Sequence, residues 1–361
     1  MSMSESIGWG RFLPDPREDI ESSRASSHVG AHVLVTGAGG YIGSALAKAI
    51  ARAGPARIVL LDSSEHNLFE IERDLESGFG HVPHAALLGT VVDKDLLDDV
   101  FHRFHPEIVY HAAAFKHVPL LELNPIAAVR NNAIGTYTLA QAAIRHGASR
   151  LVLISTDKAV NPHSVMGVSK RVAELAVVAM SSPACRMNAI RLGNVIGSPG
   201  SVVPAFLKQI AERTPVTVTH PEASRWFLSL RETVEAVLAC SSAECDGRIL
   251  LPELGEPVRI ADLAGFLIAA AGNASAPKIP IVFTGLRPGD KLTEEMAFKT
   301  ETRDGFVAGP LEVIKTRRPS LAELADHVEQ LCRRIAGQDP SGLIRTLCSI
   351  VPEYVPSELL R

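Results

Sequence analysis

Apolar and polar positions along this chain follow two periods. Short apolar runs at His32 to Thr36, Arg57 to Leu61, Ala85 to Leu88, Ile108 to His111, Leu151 to Ile154 and Met187 to Arg191 have the length and content of buried strands. Between several of them, Ser44 to Ala53, Lys94 to Phe104 and Ile126 to His146 carry apolar residues at three- and four-residue intervals, the mark of helices that bury one face. This alternation predicts an α/β fold with a doubly wound parallel sheet, over residues 31–195. Beyond residue 195 it weakens, and Gly197 to Pro204, Thr214 to Ala223, Pro252 to Pro257 and Gly285 to Asp290 break up short elements. That composition predicts a smaller C-terminal α/β lobe over 196–320, with elements around 230–262 returning to the first domain and helices over 321–361. Residues 1–30 are polar and predict an N-terminal arm, with Trp9, Phe12 and Leu13 as anchors.

The first strand runs directly into Gly37-Ala38-Gly39-Gly40-Tyr41-Ile42-Gly43. Glycine at 37, 40 and 43 permits a tight turn, a close backbone approach to a phosphate and close helix–strand packing, while the helix start offers free N–H groups to a pyrophosphate. The second strand ends in Asp62, 19 residues beyond Gly43, where a carboxylate accepts hydrogen bonds from an adenosine ribose. Strand, glycines, helix, strand and acid in this order predict a dinucleotide site and favour NAD over NADP. Ala112-Ala113-Ala114 at another strand end keeps side chains small where a cofactor lies close.

The stretch Leu151 to Lys170 carries the candidate chemistry. A buried strand delivers Ser155-Thr156-Asp157-Lys158 to its C-terminal edge, and after Asn161-Pro162 a helix start brings Ser164, Met166 and Lys170. A hydroxyl, a carboxylate and an amine at that edge are a proton-transfer set. Where a short-chain dehydrogenase carries Tyr-x-x-x-Lys, this chain has Met166-x-x-x-Lys170, so the usual base is absent.

Composition narrows the reading. The 361 residues are 46% hydrophobic and 21% charged, the profile of a folded globular protein. A formal net charge of −4 argues against a nucleic-acid or anionic-membrane partner. The five cysteines are scattered with no Cys-x-x-Cys pair, which predicts neither a disulfide framework nor a metal site and fits a reducing, cytoplasmic compartment. The first 24 residues lack the apolar core of a signal peptide, and the most apolar helical stretch, Ile260 to Ala271, is too short for a membrane span.

Six stretches carry a family likeness: VTGAGGYIGS (35–44), HAAAFKHVPLLELNP (111–125), ISTDKAVNPHSVMGVSKRVAE (154–174), RLGNVIGSPGSVVPAF (191–206), VTVTHPEASRWF (216–227) and TGLRPGDKL (284–292). The sequence resembles the extended short-chain dehydrogenase/reductases. More narrowly it is similar to the CapD-like polysaccharide-biosynthesis branch, the UDP-N-acetylglucosamine 4,6-dehydratase family, in its soluble short form. Methionine in place of tyrosine is a feature of that branch. Departures are Tyr41 for the usual Ser, Phe115 for Tyr, Leu192 for Phe, and Thr90 where an Asp commonly meets the adenine.

The resemblance implies a Rossmann-like domain holding NAD through Gly37, Gly39, Gly40, Tyr41, Ile42, Asp62, Ser63, Val91, Ala112, Ala113, Lys116, Asn132 and Lys170. It implies a UDP-sugar held by Lys116, His117, Asn194, Val203, Thr217, Thr219, Arg225 and Arg287, and a homo-oligomer. Asp157 becomes the acid for the 6-hydroxyl, Lys158 the base at C5, Thr156 the partner of the 4-hydroxyl, and Lys170 the holder of the nicotinamide ribose. The acid role calls for a raised carboxyl pKa and the base role for a lowered lysine pKa. Met166 cannot take a proton, so the C4 proton leaves through Thr156, Asp157 or an ordered water. Two other readings stand beside the dehydratase: a UDP-sugar epimerase on the same scaffold, and a non-catalytic NAD-binding regulator.

Overall fold

In a computed structural model, residues 28–271 and 279–360 are described. Most of the expected arm, including Trp9, Phe12 and Leu13, lies outside them. The first half of the chain reads β1 (His32–Thr36), α1 (Tyr41–Arg52), β2 (Arg57–Asp62), α2 (Glu65–Phe79), β3 (His84–Leu88), α3 (Lys94–Phe104) and β4 (Ile108–His111). It continues with α4 (Val118–Glu122), α5 (Pro125–Val129), a π-helical turn Arg130–Ile134, α6 (Gly135–Arg145), β5 (Arg150–Thr156), α7 (Val165–Met180) and β6 (Arg186–Leu192). Then follow β7 (Asn194–Val195), α8 (Val202–Ala211), β8 (Val216–Val218), β9 (Ser224–Arg225), β10 (Phe227–Leu228), α9 (Leu230–Ser242), β11 (Ile249–Leu251), β12 (Val258–Arg259) and α10 (Ile260–Ala271). The last elements are β13 (Ile281–Phe283), β14 (Thr302–Val307), β15 (Leu311–Lys315), α11 (Leu321–Ala336) and α12 (Pro340–Ile350).

Nine strands form one sheet in the order β14-β15-β11-β6-β5-β4-β1-β2-β3. From β3 to β11 all neighbours are parallel, and β15 and β14 add antiparallel at the far edge. Both sheet faces are covered, which is why the strands read as continuous apolar runs. Val33, Val35, Ile58 and Leu60 pack on one side with residues of α1 and α9, and Leu34, Val59 and Leu61 on the other with residues of α3, α6 and α7. Strand order reverses between β1 and β4, so a crevice opens beyond Thr36 and His111, the place where doubly wound sheets hold ligands.

Two elements differ from the sequence expectation. The helix expected over Ile126 to His146 is interrupted by the π-helical turn. There Thr136 donates its hydroxyl to the Asn132 carbonyl at 2.6 Å, and Gly135 approaches Val91 so closely that a Cβ would stand 2.7 Å from its Cγ2. The lobe expected over 196–320 ends earlier: β14 and β15 belong to the main sheet, because Leu311, Val313 and Ile314 are buried in its two cores. The lobe core comprises Val203, Phe206, Ile210, Val216, Val218, Ile260, Leu263 and Leu267 from α8, β8 and α10.

A last segment supports the loop between β5 and α7 from behind. Val355 donates its N–H to Pro162 O at 3.0 Å, and Ser357 donates its hydroxyl to buried Glu122, which also accepts the Val165 N–H at the start of α7. Among the described residues, no helix is long and apolar enough to cross a membrane, and no cluster of three or more His, Cys, Asp or Glu is placed to hold a metal.

Candidate active site

The glycine turn is shaped by close approach. Gly37 adopts φ +67°, and a Cβ there would lie 2.5 Å from the Ala113 backbone nitrogen, so the tips of β1 and β4 touch only because residue 37 has no side chain. A Cβ on Gly43 would lie 2.0 Å from Gly37 O, which fixes α1 against the turn. No side chain caps α1 at Gly40, and its first turn has no acid, so the N-terminal N–H groups and the helix dipole face the crevice uncompensated. Asp62 is buried at the end of β2 and accepts N–H groups from Gly39 and Ser64, both at 2.9 Å. A carboxylate so engaged keeps further lone pairs for hydroxyl donors.

Two adjoining cavities meet at Gly37, Gly40 and Ala112. The smaller, about 240 Å³, is lined by Asp62, Ser63, Thr90, Val91 and Ala113. The larger cleft, about 990 Å³, runs past Tyr41, Ile42, Thr156, Lys158, Met166 and Lys170 to the lobe. A nucleoside-sized recess, a phosphate-sized helix start and a reactive cleft in series fit a dinucleotide.

At the cleft floor, β5 ends at Thr156 and turns through a short 3₁₀ segment, Asp157–Ala159. Thr156 donates its hydroxyl to Asp157 Oδ1 at 2.8 Å, and Lys158 Nζ donates to the same oxygen at 2.9 Å and to Asn194 Oδ1 at 3.0 Å. Asp157 is fully buried, and its Oδ2 has no hydrogen-bond partner. Ser164 caps α7 through the Gly167 N–H, and a Cβ on Gly167 would clash with Lys158 O at 2.2 Å, so helix and turn interlock. Met166 and Lys170 are each 4% exposed on the wall of this cleft. Burial pushes the Lys170 ammonium down to about 8, and burial likewise pulls His111 down to about 3 while it shares hydrogen bonds with Thr36 and Thr136.

Lys158 departs from expectation. Burial lowers its pKa, but the carboxylates of Asp157 and Glu294 outweigh that and hold the ammonium above its ordinary value. The resting lysine is therefore charged, the opposite of what a base requires. Glu294, 4% exposed, and Lys291, 8% exposed, reach this cluster from the loop after Asp290. Sequence reading did not single them out. In a charged loop with Lys291, Glu294 and Glu295, nothing in the residue order separates the buried members from the solvated one.

Several expected ligands have other positions. Asn132 lines neither cavity. It is fully buried, accepts the Phe115 N–H at 2.8 Å and donates to Phe115 O and Ser169, which fixes the Phe115 backbone at the cleft wall. Gly39 also lines neither cavity, since it packs on Asn67 and offers its N–H to Asp62. Val203 points into the lobe core at 1% exposure, and its neighbours Val202, Ala205 and Phe206 line the cleft. Asp157 itself does not line the cleft and meets it only through Thr156 and Lys158. Arg225 lines the cleft, yet its guanidinium donates to the carbonyls of Ser224, Lys291 and Leu292, so it holds the loop that carries Glu294. Lys116, His117, Asn194, Thr217, Thr219 and Arg287 line the cleft, with Arg287 exposed and paired to Asp290 at 2.8 Å. Tyr41 crosses the cleft, donating its hydroxyl to Ile196 O at 2.9 Å.

Residues 33–314 match the model of a family described as polysaccharide biosynthesis protein. The chain is 43% identical over 285 residues to the probable polysaccharide biosynthesis protein EpsC of Bacillus subtilis, covering 78% of this chain and 48% of EpsC, so it spans about half the length of that relative. It is 32% identical over 271 residues to a UDP-N-acetylglucosamine 4,6-dehydratase (inverting) of Campylobacter jejuni, covering 73% of this chain and 77% of that one. Among solved structures, the crystal structure of Pen from Bacillus thuringiensis superposes with a TM-score of 0.73 at 26% identity, over 81% of this chain and 89% of Pen.

Proposed function

The chain belongs to the polysaccharide biosynthesis protein family, the CapD-like branch of the extended short-chain dehydrogenase/reductases, and on that premise we propose that it is an NAD-dependent 4,6-dehydratase of a UDP-linked N-acetylhexosamine. The observation that carries this reading is the chain Thr156–Asp157–Lys158 at the cleft floor, in a site where methionine replaces the tyrosine base. The glycine turn, Asp62 and Lys170 would hold the dinucleotide, which would supply a reversible hydride acceptor.

The residues divide the proton work. Thr156 lines the cleft; its hydroxyl donates inward to Asp157 and accepts the Lys158 N–H at 3.4 Å, which leaves one lone pair for the C4 hydroxyl. As C4 is oxidised, the alcohol proton passes to Thr156 Oγ1 while the threonine proton passes to Asp157. Asp157 is then neutral and holds the proton that the departing 6-hydroxyl needs, returned over the same hydroxyl. Lys158, when neutral, takes the C5 proton and later gives it back at C5. The active form therefore carries one proton fewer than the resting pair, with Asp157 ionised and Lys158 neutral. Burial of Asp157 keeps bulk water from short-circuiting this exchange.

Mass spectrometry of UDP-N-acetylglucosamine incubated with the protein tests the proposal. The expected product is lighter by one water, and Asp157→Asn and Lys158→Ala should retain bound NAD while losing roughly 10²- to 10⁴-fold in turnover. An isomer of unchanged mass would make the protein an epimerase. Tight NAD binding without turnover of any UDP-hexosamine would make it a regulator.

A further inference from the structure

We infer that Glu294 is a positioning residue for the reaction: its buried carboxylate, brought in from a distant loop, sets the protonation of Lys158 together with Asp157. This rests on the reading of Lys158 as the C5 base. The geometry leaves Lys158 Nζ among three acceptors on three segments: Asp157 Oδ1 at 2.9 Å on its own turn, Asn194 Oδ1 at 3.0 Å on β7, and Glu294 Oε1 at 3.8 Å on the loop after Asp290. An ammonium has three N–H groups, so all three have an acceptor to face, and no lone pair is directed at substrate.

Glu294 is itself compensated by two further cations. Lys291 Nζ lies 3.1 Å from Oε2 and Arg225 Nε 3.9 Å from Oε1. Lys291 is fixed by donating to Val160 O at 2.8 Å, and Arg225 by the carbonyls of Lys291 and Leu292. The charged groups facing Lys158 are therefore Asp157, Glu294 and Arg225, with Lys291 behind Glu294. The carboxylate is held in place by cations other than the lysine it acts on. Lys158 can lose its proton without leaving Glu294 uncompensated, and Glu294 remains ionised, its pKa lowered by Lys158, Lys291 and Arg225 against the pull of burial.

Removing that carboxylate has a definite sign. In Glu294→Gln, Lys158 keeps one carboxylate and still faces Arg225, so its pKa falls. At 3.8 Å the lost attraction corresponds to at least about one pH unit. In Lys291→Met the nearby positive charge is reduced and the pKa rises. Glu294→Asp keeps the charge and should retain most of the wild-type value.

The test titrates Lys158 directly in the NAD-loaded full chain by ¹³C NMR after reductive methylation with labelled formaldehyde, with the resonance assigned by its absence in Lys158→Ala. The expected result is a downward shift in Glu294→Gln, an upward shift in Lys291→Met, and a parallel move of the alkaline-favoured limb of the turnover profile. A Lys158 titration unmoved in Glu294→Gln overturns the inference, even if turnover drops, because a packing role would lower turnover without moving the titration. Should Glu294→Gln not fold, Lys291→Met decides alone, and an unmoved or lowered titration there overturns it. If the wild type dehydrates no UDP-hexosamine, the functional reading fails while the NMR titration still decides the role of Glu294.

Discussion

Two buried charge clusters draw on the end of β5, and they are built differently. In the first, Arg191 donates Nε and Nη2 to the two oxygens of Glu174 at 2.8 and 2.9 Å and Nη1 to Glu301 at 2.7 Å. Arg171 adds Nη1 to Glu174 at 3.0 Å, Ser155 adds its hydroxyl at 2.7 Å, and Phe298 stacks under both guanidinium groups. In the second, Lys158, Asp157, Glu294, Lys291 and Arg225 pair more loosely, with two contacts at 3.8 and 3.9 Å, and Asp157 Oδ2 and Glu294 Oε2 make no hydrogen bond. Consecutive residues of β5 supply the two clusters, since Ser155 and Thr156 face opposite sides of the strand. Planar guanidinium–carboxylate forks fix geometry, whereas an ammonium with open-ended carboxylates leaves room for protons to move. On the proposed function, the difference separates a scaffold from a proton-transfer site.

The largest expected effect comes from breaking the first cluster. Arg191→Met leaves two buried carboxylates, Glu174 and Glu301, with Arg171 as their one remaining guanidinium and should lower unfolding free energy by about 3–5 kcal/mol in urea titration. Asp157→Asn, in the looser cluster, should cost less than about 1 kcal/mol. Equal losses would erase the contrast. The second effect is acid lability. Arg191 and Arg171 hold Glu174 at about 2 against burial, below the ordinary 4.5. A carboxylate depressed in the folded state contributes stability that is present above pH 4.5 and lost as pH falls toward 2, about 3 kcal/mol for the full shift. Unfolding midpoints from pH 6 to 3 should fall steeply in the wild type, and Glu174→Gln should start lower with a flatter slope. The smallest effect belongs to the surface. The Arg287–Asp290 pair leaves 58% of the arginine side chain exposed, so Arg287→Ala should change stability by no more than about 0.5 kcal/mol. Its expected signature is a raised KM for the UDP-sugar at nearly unchanged kcat, measured by steady-state kinetics.

Legibility in the sequence followed how local the cause was. The glycine turn, Asp62 and the six N-terminal parallel strands are written in neighbouring residues: apolar runs of strand length, and glycines at the one place where β1 and β4 must touch. The turn carrying Asp157 and Lys158 was legible as a set of residue types, but two of the three acceptors around Lys158, Asn194 and Glu294, lie 36 and 136 positions after it. Asn132 was expected at the cofactor through the resemblance alone, and its enclosure by a π-helical turn and the Phe115 backbone is not written in its neighbours. Val203 against Val202 shows the limit of a helical period: one residue of phase separates core from cleft. Strands β14 and β15 went unrecognised as sheet members because the segment before them is rich in loop residues and their pairing is antiparallel at an edge.

The bond from Ser357 to Glu122 joins residues 235 positions apart, and Val355 rests on Pro162 beside it. During vectorial synthesis the parallel strands β1 to β6 emerge and can pair long before residue 357 exists. The loop that carries Asp157 and Lys158 acquires its rear support only afterwards, as the most non-local closure of this wall. On the proposed function, a ribosome-bound chain would possess its cofactor crevice well ahead of its chemistry and would mature as a binder before it matured as a catalyst.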